Sequence, residues 1–315
     1  MPRVKLRVFV EPVLGSRYAD QLAAAKAAEE CGFDGFFRAD HFLTMAGGDG
    51  LPGPTDAWLT LAAIARETQR IRLGTMMTSA TFRQPGHLAI MVAQVDDMSG
   101  GRVELGLGAG WFADEHYAYG FPFPPSVGER LSRLEEQLQI IAGLWATPVG
   151  ERFHYRGHHY QLDNSPALPK PQQPSPPLIV GGLGPRRTPA LAARFAHEFN
   201  VPMAHIDATA NQFARAREAC EAANRDPDSL ILSHAIAVFC DLNEARARAM
   251  ALAVADTASL PEIFTTAAIG TPDQVAERLR GFAAIGATRS YIQLLDMTDL
   301  DHLALIAAEV IPLVA

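Results

Sequence analysis

The sequence predicts an α/β fold closed as a (β/α)8 TIM barrel, and three observations carry that prediction. Eight short β-rich runs recur along the chain, and the stretches between them place apolar residues at helical spacing. The alternation of strand and helix builds parallel βαβ units, and eight of these are the count at which a parallel sheet closes. An open doubly wound sheet is the rival architecture, but its nucleotide fingerprint is missing. The stretch "GLGAGW" supplies Gly106, Gly108 and Gly110, whereas GxGxxG needs glycine where Trp111 stands.

In chain order, "LRVFVEP" from Leu6 is the first run and delivers Glu11 at its end. "FDGFFRAD" from Phe33 stops on Asp40 and His41, with Phe42 next, and "IRLGTMMTS" from Ile71 ends in Thr75, Met76, Met77 and Thr78. A helix follows, striped by Leu88, Met91, Val92, Val95 and Met98 until "SGG" stops it. "RVELGLGAG" from Arg102 leads into Trp111, Asp114, Glu115 and His116, placed on a loop or a first helical turn. Leu131, Leu134, Leu138, Ile141 and Trp145 then stripe a long helix whose other faces are polar.

Residues 147–177 break the rhythm with a short hairpin and six prolines between Pro166 and Pro177, read as an ordered insertion or a cover over a barrel end. "PLIVGG" from Pro177, "EFNVPM" from Glu198, "HAIAVFC" from His234 and "SYIQLL" from Ser290 complete the strands. Thr271, Pro272 and Gln274 form a capping box before the helix that precedes the last strand, and a final helix is expected from about Leu300 to Val310. No second boundary or fixed-period repeat appears, so residues 1–315 are read as one domain.

Hydrophobic residues make up 48% and charged residues 20%, which supports a sizeable core. The net charge of -8 comes without a basic face, so nucleic acid is not an expected partner and a small-molecule substrate is. No run of 18 uncharged apolar residues occurs and the N-terminus enters strand-like sequence directly, so no membrane contact is expected and the reading is cytoplasmic. Cys31, Cys220 and Cys240 are too scattered for a disulfide framework and read as reduced thiols.

Catalytic groups of such barrels gather at the C-terminal strand ends. There His41 has a side chain that titrates near neutral pH, and Asp40 beside it is a candidate to orient the imidazole; a histidine that caps a loop is the plainer alternative. Met76 and Met77 offer soft apolar surface, with Thr75 and Thr78 as hydrogen-bonding neighbours, and ordinary core packing is their alternative. Gly108 permits close backbone approach, and Gly181, Gly182 and Gly184 precede a helix expected near Pro185, with Arg186 and Arg187 at hand for a phosphate; tight turns also explain such glycines. Trp111, Phe42 and Glu11 line the expected substrate pocket. His154, His158 and His159 cluster in the hairpin without a completing carboxylate, so no metal site is expected.

The motifs "GFDGFFRADHF", "RLGTMMTSATFRQPGHLA", "GGRVELGLGAGWFADEHYAYGFPFPPSVGERLSRLEEQLQIIAGLW", "HYRGHHYQL", "PPLIVGGLGPRRTPALAARFAHEFN" and "GTPDQVAERLRGFAAIGA" resemble, in order, the bacterial luciferase-like monooxygenase superfamily. The branch they resemble most is that of actinobacterial oxidoreductases using the deazaflavin coenzyme F420. The resemblance implies a luciferase-like barrel with the cofactor ring at the mouth, backed by a cis peptide between Met76 and Met77. It implies His41 as proton donor or base and ring contact, Asp114 as a polar cofactor contact, and phosphate contacts at Gly181, Gly182, Asn200 and Val201. It also implies a homodimer. Trp111 stands where the superfamily's sugar-phosphate dehydrogenases carry a catalytic glutamate, a departure that argues against sugar-phosphate oxidation. Two alternatives stay open: a monooxygenase using reduced FMN, and a non-catalytic flavin- or deazaflavin-binding protein.

Overall fold

Alternation along each strand sorts side chains into two cores, and the barrel follows from that sorting. The computed structural model describes residues 4–45, 50–258 and 263–314. Its strands β1 (Lys5–Val10), β2 (Gly35–Arg38), β3 (Arg72–Thr75), β4 (Val103–Gly108), β5 (Leu178–Gly181), β6 (Glu198–Pro202), β7 (Ile231–Cys240) and β8 (Arg289–Leu294) coincide with the eight runs read from the sequence. Each pairs in parallel with the next, and β8 pairs with both β7 and β1, so the sheet closes. Thr78–Ser79 extends β3 against the end of β4, and Ala268–Gly270 adds to the end of β7.

On β1, Val8 and Val10 face outward into the large core between strands and helices, while Phe9 faces inward. Inside the barrel Phe9, Phe37, Ala39, Met76, Ile179, Ala235 and Tyr291 form a separate apolar layer. Gly74 makes that layer possible, since a Cβ there would collide with the Phe37 ring and the Glu104 carbonyl. Toward the N-terminal end of the strands the interior turns ionic. The buried Arg7 guanidinium donates to Glu104 at 2.6 and 3.0 Å, to the Tyr291 hydroxyl at 3.0 Å and to Asp34 at 2.7 Å. Arg72 and Arg289 add to Glu104, and Arg289 pairs with Glu198. Burial pushes the Glu104 carboxyl up, but the surrounding arginines reverse the effect and hold it below its ordinary value.

The helices start where their caps predict. Asp56 accepts from the Trp58 and Leu59 amides, both at 2.9 Å, and starts the helix Ala57–Glu67. Gln274 closes the expected capping box by accepting from the Thr271 amide at 2.8 Å. The last helix runs on to Val314 rather than stopping at Val310, with a π turn at Ile306–Val310 inside it.

The insertion carries the expected hairpin, Phe153–Arg156 against Gln161–Ser165. It lies along the helical layer, not over the mouth. The Glu136 carboxylate, on the helix Val127–Ala146, accepts from the amides of His158, His159 and Tyr160. The proline-rich stretch continues toward the opposite end, where Gln173 bridges Asp96 and the Val103 carbonyl at the start of β4. His154 pairs with Asp163 at 2.9 Å on the exposed hairpin. Among the described residues no three His, Cys, Asp or Glu side chains gather as a ligand set.

Candidate active site

The loop after β2 and the helix Ala113–Tyr119 after β4 meet above the barrel mouth, and they meet through a histidine and a carboxylate. His41 Nδ1 lies 3.0 Å and 3.1 Å from the two oxygens of Glu115, and the Phe42 amide donates to the same carboxylate at 2.9 Å. Glu115 is buried, so this carboxylate is committed to one loop. A carboxylate can only accept, so Nδ1 carries the hydrogen and Nε2 is the nitrogen left to meet a ligand. Burial alone lowers the pKa of His41; the hydrogen bond and charge of Glu115, with the fields of Glu11 and Asp40, outweigh it and raise the net value. Glu11, at the end of β1, is pushed up by burial, with His41 opposing. The result is an imidazole that keeps a proton at higher pH than usual.

Glu115 is the residue sequence reading did not assign. The sequence shows it only as one of several polar groups after Trp111 and offers Asp40 for the orienting role. The structure turns Asp40 away: its carboxylate accepts from the Thr78 hydroxyl at 2.9 Å and pairs with Arg83, which also holds Asp56. Asp40 thus braces the loop, because neighbours leaving a strand point to opposite sides.

Other expected contacts divide in the same way. Thr75 donates to the Gly106 carbonyl at 3.0 Å and Thr78 accepts from the Trp58 indole at 3.1 Å, so both hydroxyls serve the wall and not the mouth. Asn200 is buried and donates to Ser233 at 2.9 Å inside the barrel. Val201 faces the opposite way, into the outer core, which removes its side chain from any phosphate. Arg187 reaches the Gly128 carbonyl at 2.8 Å and Ser132 at 3.1 Å on a neighbouring helix, so its guanidinium is engaged by protein groups. Asp114 is exposed in the first turn of the helix Ala113–Tyr119.

The floor of the mouth is backbone and thioether. The Met76–Met77 peptide is cis. The Met77 side chain crosses the ends of β4 and β5: a Cβ at Gly108 would stand 3.8 Å from its sulfur, and one at Gly181 would lie 2.6 Å from its methyl carbon and against the Asn200 carbonyl. Gly182 has φ +138°, and Gly184 passes so close to the next helix that a Cβ would meet the Thr188 hydroxyl at 2.6 Å. That helix, Arg187–Phe195, has no side-chain cap on its first amides. Phe42 packs with Phe82, Tyr119 and Phe121 at centroid distances of 5.0, 6.0 and 5.2 Å, forming one wall. Trp111 stands 6.0 Å from His41, edge to face.

Residues 4–261 match the family model described as luciferase-like monooxygenase. The chain belongs to the luciferase-like monooxygenase family. This luciferase-like protein is 36% identical over 176 residues to an F420-dependent glucose-6-phosphate dehydrogenase of Nakamurella multipartita, a match that covers 56% of this chain and 49% of that one. The chain spans about half the length of the curated relatives it matches. In structure it is similar to an F420-dependent secondary alcohol dehydrogenase captured with an F420-acetone adduct, with TM-score 0.85, 20% identity and 99% of each chain covered. It is also similar to a monooxygenase from Streptomyces bottropensis, with TM-score 0.82, 23% identity and coverage of 99% of this chain and 100% of the other. Both structural likenesses establish the fold.

Proposed function

We propose that this luciferase-like protein is an oxidoreductase that passes a hydride between coenzyme F420 and a small organic substrate at a C=C, C=N or C=O bond. The observation that carries the reading is the His41–Glu115 pair held beside a glycine-backed mouth. The similarity to F420-dependent dehydrogenases supports it. The residues present fit a flat ring with a phosphate-bearing tail. Gly108 and Gly181 leave strand ends where a Cβ would meet Met77, Met77 itself offers an apolar back, and the uncapped amides of the helix Arg187–Phe195 suit an anion.

The coenzyme, when bound, supplies the two-electron hydride chemistry. The chain supplies the rest. Met77 and the glycine floor orient one ring face; Glu115 fixes the His41 tautomer; His41 Nε2 delivers or receives the proton that accompanies the hydride. Glu11 and Glu115 steady the charged imidazole between proton transfers.

The test is a titration of purified protein with F420 and, separately, FMN, each oxidised and reduced. Low-micromolar or tighter binding of F420 with weak FMN binding is expected. The opposite preference sinks the hydride-transfer reading in favour of oxygen chemistry with reduced FMN, to be followed by oxygen consumption.

A further inference from the structure

Trp111 is the tryptophan that reaches solvent: of the chain's three, Trp58 and Trp145 are buried and Trp111 is 64% exposed. One face of its indole stacks on Phe112 at 5.4 Å and 26°, and its edge is turned to His41. The rest of this large apolar surface stands open at the mouth, beside the group proposed to handle the proton. Keeping such surface in water is unfavourable, and a ligand that covers it gains what the free protein forgoes.

The charges decide which ligand. No lysine or arginine occurs between Arg38 and Arg66, the span that carries His41, nor between Arg102 and Arg130, the span that carries Trp111. The neighbouring arginines are occupied: Arg38 by Gln21 and Thr55, Arg83 by Asp40 and Asp56, Arg102 by the carbonyls of Ala65, Thr68 and Ile71, and Arg130 by those of Gly110, Pro124 and Pro125. The groups acting on His41 are the acids Glu115, Glu11 and Asp40. A phosphate or carboxylate laid against Trp111 would meet carboxylates, an indole and an imidazolium already neutralised by Glu115, with no unpaired cation on these two spans to offset its desolvation.

Resting on the reading above, we infer that Trp111 is the platform for the substrate body and that this body is uncharged and apolar. The substrate class is a neutral ketone, enone or secondary alcohol with an alicyclic or aromatic skeleton, and sugar phosphates are excluded. Trp111 acts as a specificity-determining residue; it takes no proton.

The indole is its own reporter, because the other two tryptophans are shielded. Cyclohexanone added to the free protein and to the F420-loaded protein is expected to quench the solvent-exposed emission, a component that Trp111→Phe lacks. Glucose 6-phosphate at equal concentration is expected to leave it unchanged. By calorimetry, Trp111→Ala weakens cyclohexanone binding about five- to tenfold and Trp111→Phe less than about twofold, in line with the worth of one aromatic contact. F420 affinity stays the same in both variants. Quenching by glucose 6-phosphate but not by cyclohexanone, or unchanged ketone affinity in Trp111→Ala, overturns the inference. Failure of F420 to bind in its own titration overturns only the coenzyme assignment, since quenching in the free protein needs no coenzyme.

Discussion

At the scale of single residues, Glu115 sets the behaviour of His41. Glu115→Gln keeps an acceptor near Nδ1 but removes the charge, so the His41 pKa should fall, read from the imidazole proton signals across a pH titration. The sign follows from the raised value. The stability that His41 contributes is present in full below its unfolded pKa near 6.5 and is lost as pH rises through the higher folded value. In Glu115→Gln that loss shrinks, and urea midpoints of the variant should vary less from mildly acidic to mildly alkaline pH. A titration midpoint indistinguishable from the native one would assign the raised pKa elsewhere. His41 was legible because an apolar run ends on it abruptly. Its partner was not, because the two residues are 74 apart in sequence and only the closed barrel brings their loops together.

At the scale of elements, the strand ends matter more than the strands. Gly181→Ala places a methyl against the Met77 methyl carbon and the Asn200 carbonyl, so either the thioether or the end of β5 must move. F420 affinity should fall at least about tenfold with the far-ultraviolet spectrum unchanged, as small misplacements at a cofactor floor do. Gly184→Ala, which meets only the end of the Thr188 side chain, should cost less. Asp56 caps one helix and also holds Arg83, so Asp56→Ala should cost about 1–2 kcal/mol in urea unfolding, at the upper end for a cap. The eight strands and the capping box were readable from alternation and local chemistry. The facing of Asn200 and Val201 was not, because both sides of a barrel strand are buried and composition does not distinguish the inner side from the outer. The insertion's place on the helical layer was equally hidden, since it depends on Glu136 capturing three hairpin amides.

At the scale of the whole molecule, the ionic layer at the base is the feature the sequence concealed most fully. Arg7, Arg72, Glu104, Glu198 and Arg289 sit in segments that read as ordinary strands, and their convergence needs closure of all eight. Arg7→Met strands the Glu104 carboxylate among fewer donors and should cost about 3–5 kcal/mol by urea denaturation, more than an exposed ion pair would. Arg7→Met combined with Glu104→Leu should recover part of that loss. A double change that costs the sum of the two single changes would show that the charges act independently of one another.

That same layer makes the barrel a vessel with one opening. Phe9, Phe37 and Tyr291 lie above the ion network, so nothing can pass through from below. On the proposed arrangement a ring resting on Met77 would lie beneath whatever settles on Trp111, so a guest that takes the upper place in the empty protein would bar the lower one. Productive loading would then fill the vessel from the bottom, and the departure of the upper guest would limit how soon the lower one is exchanged.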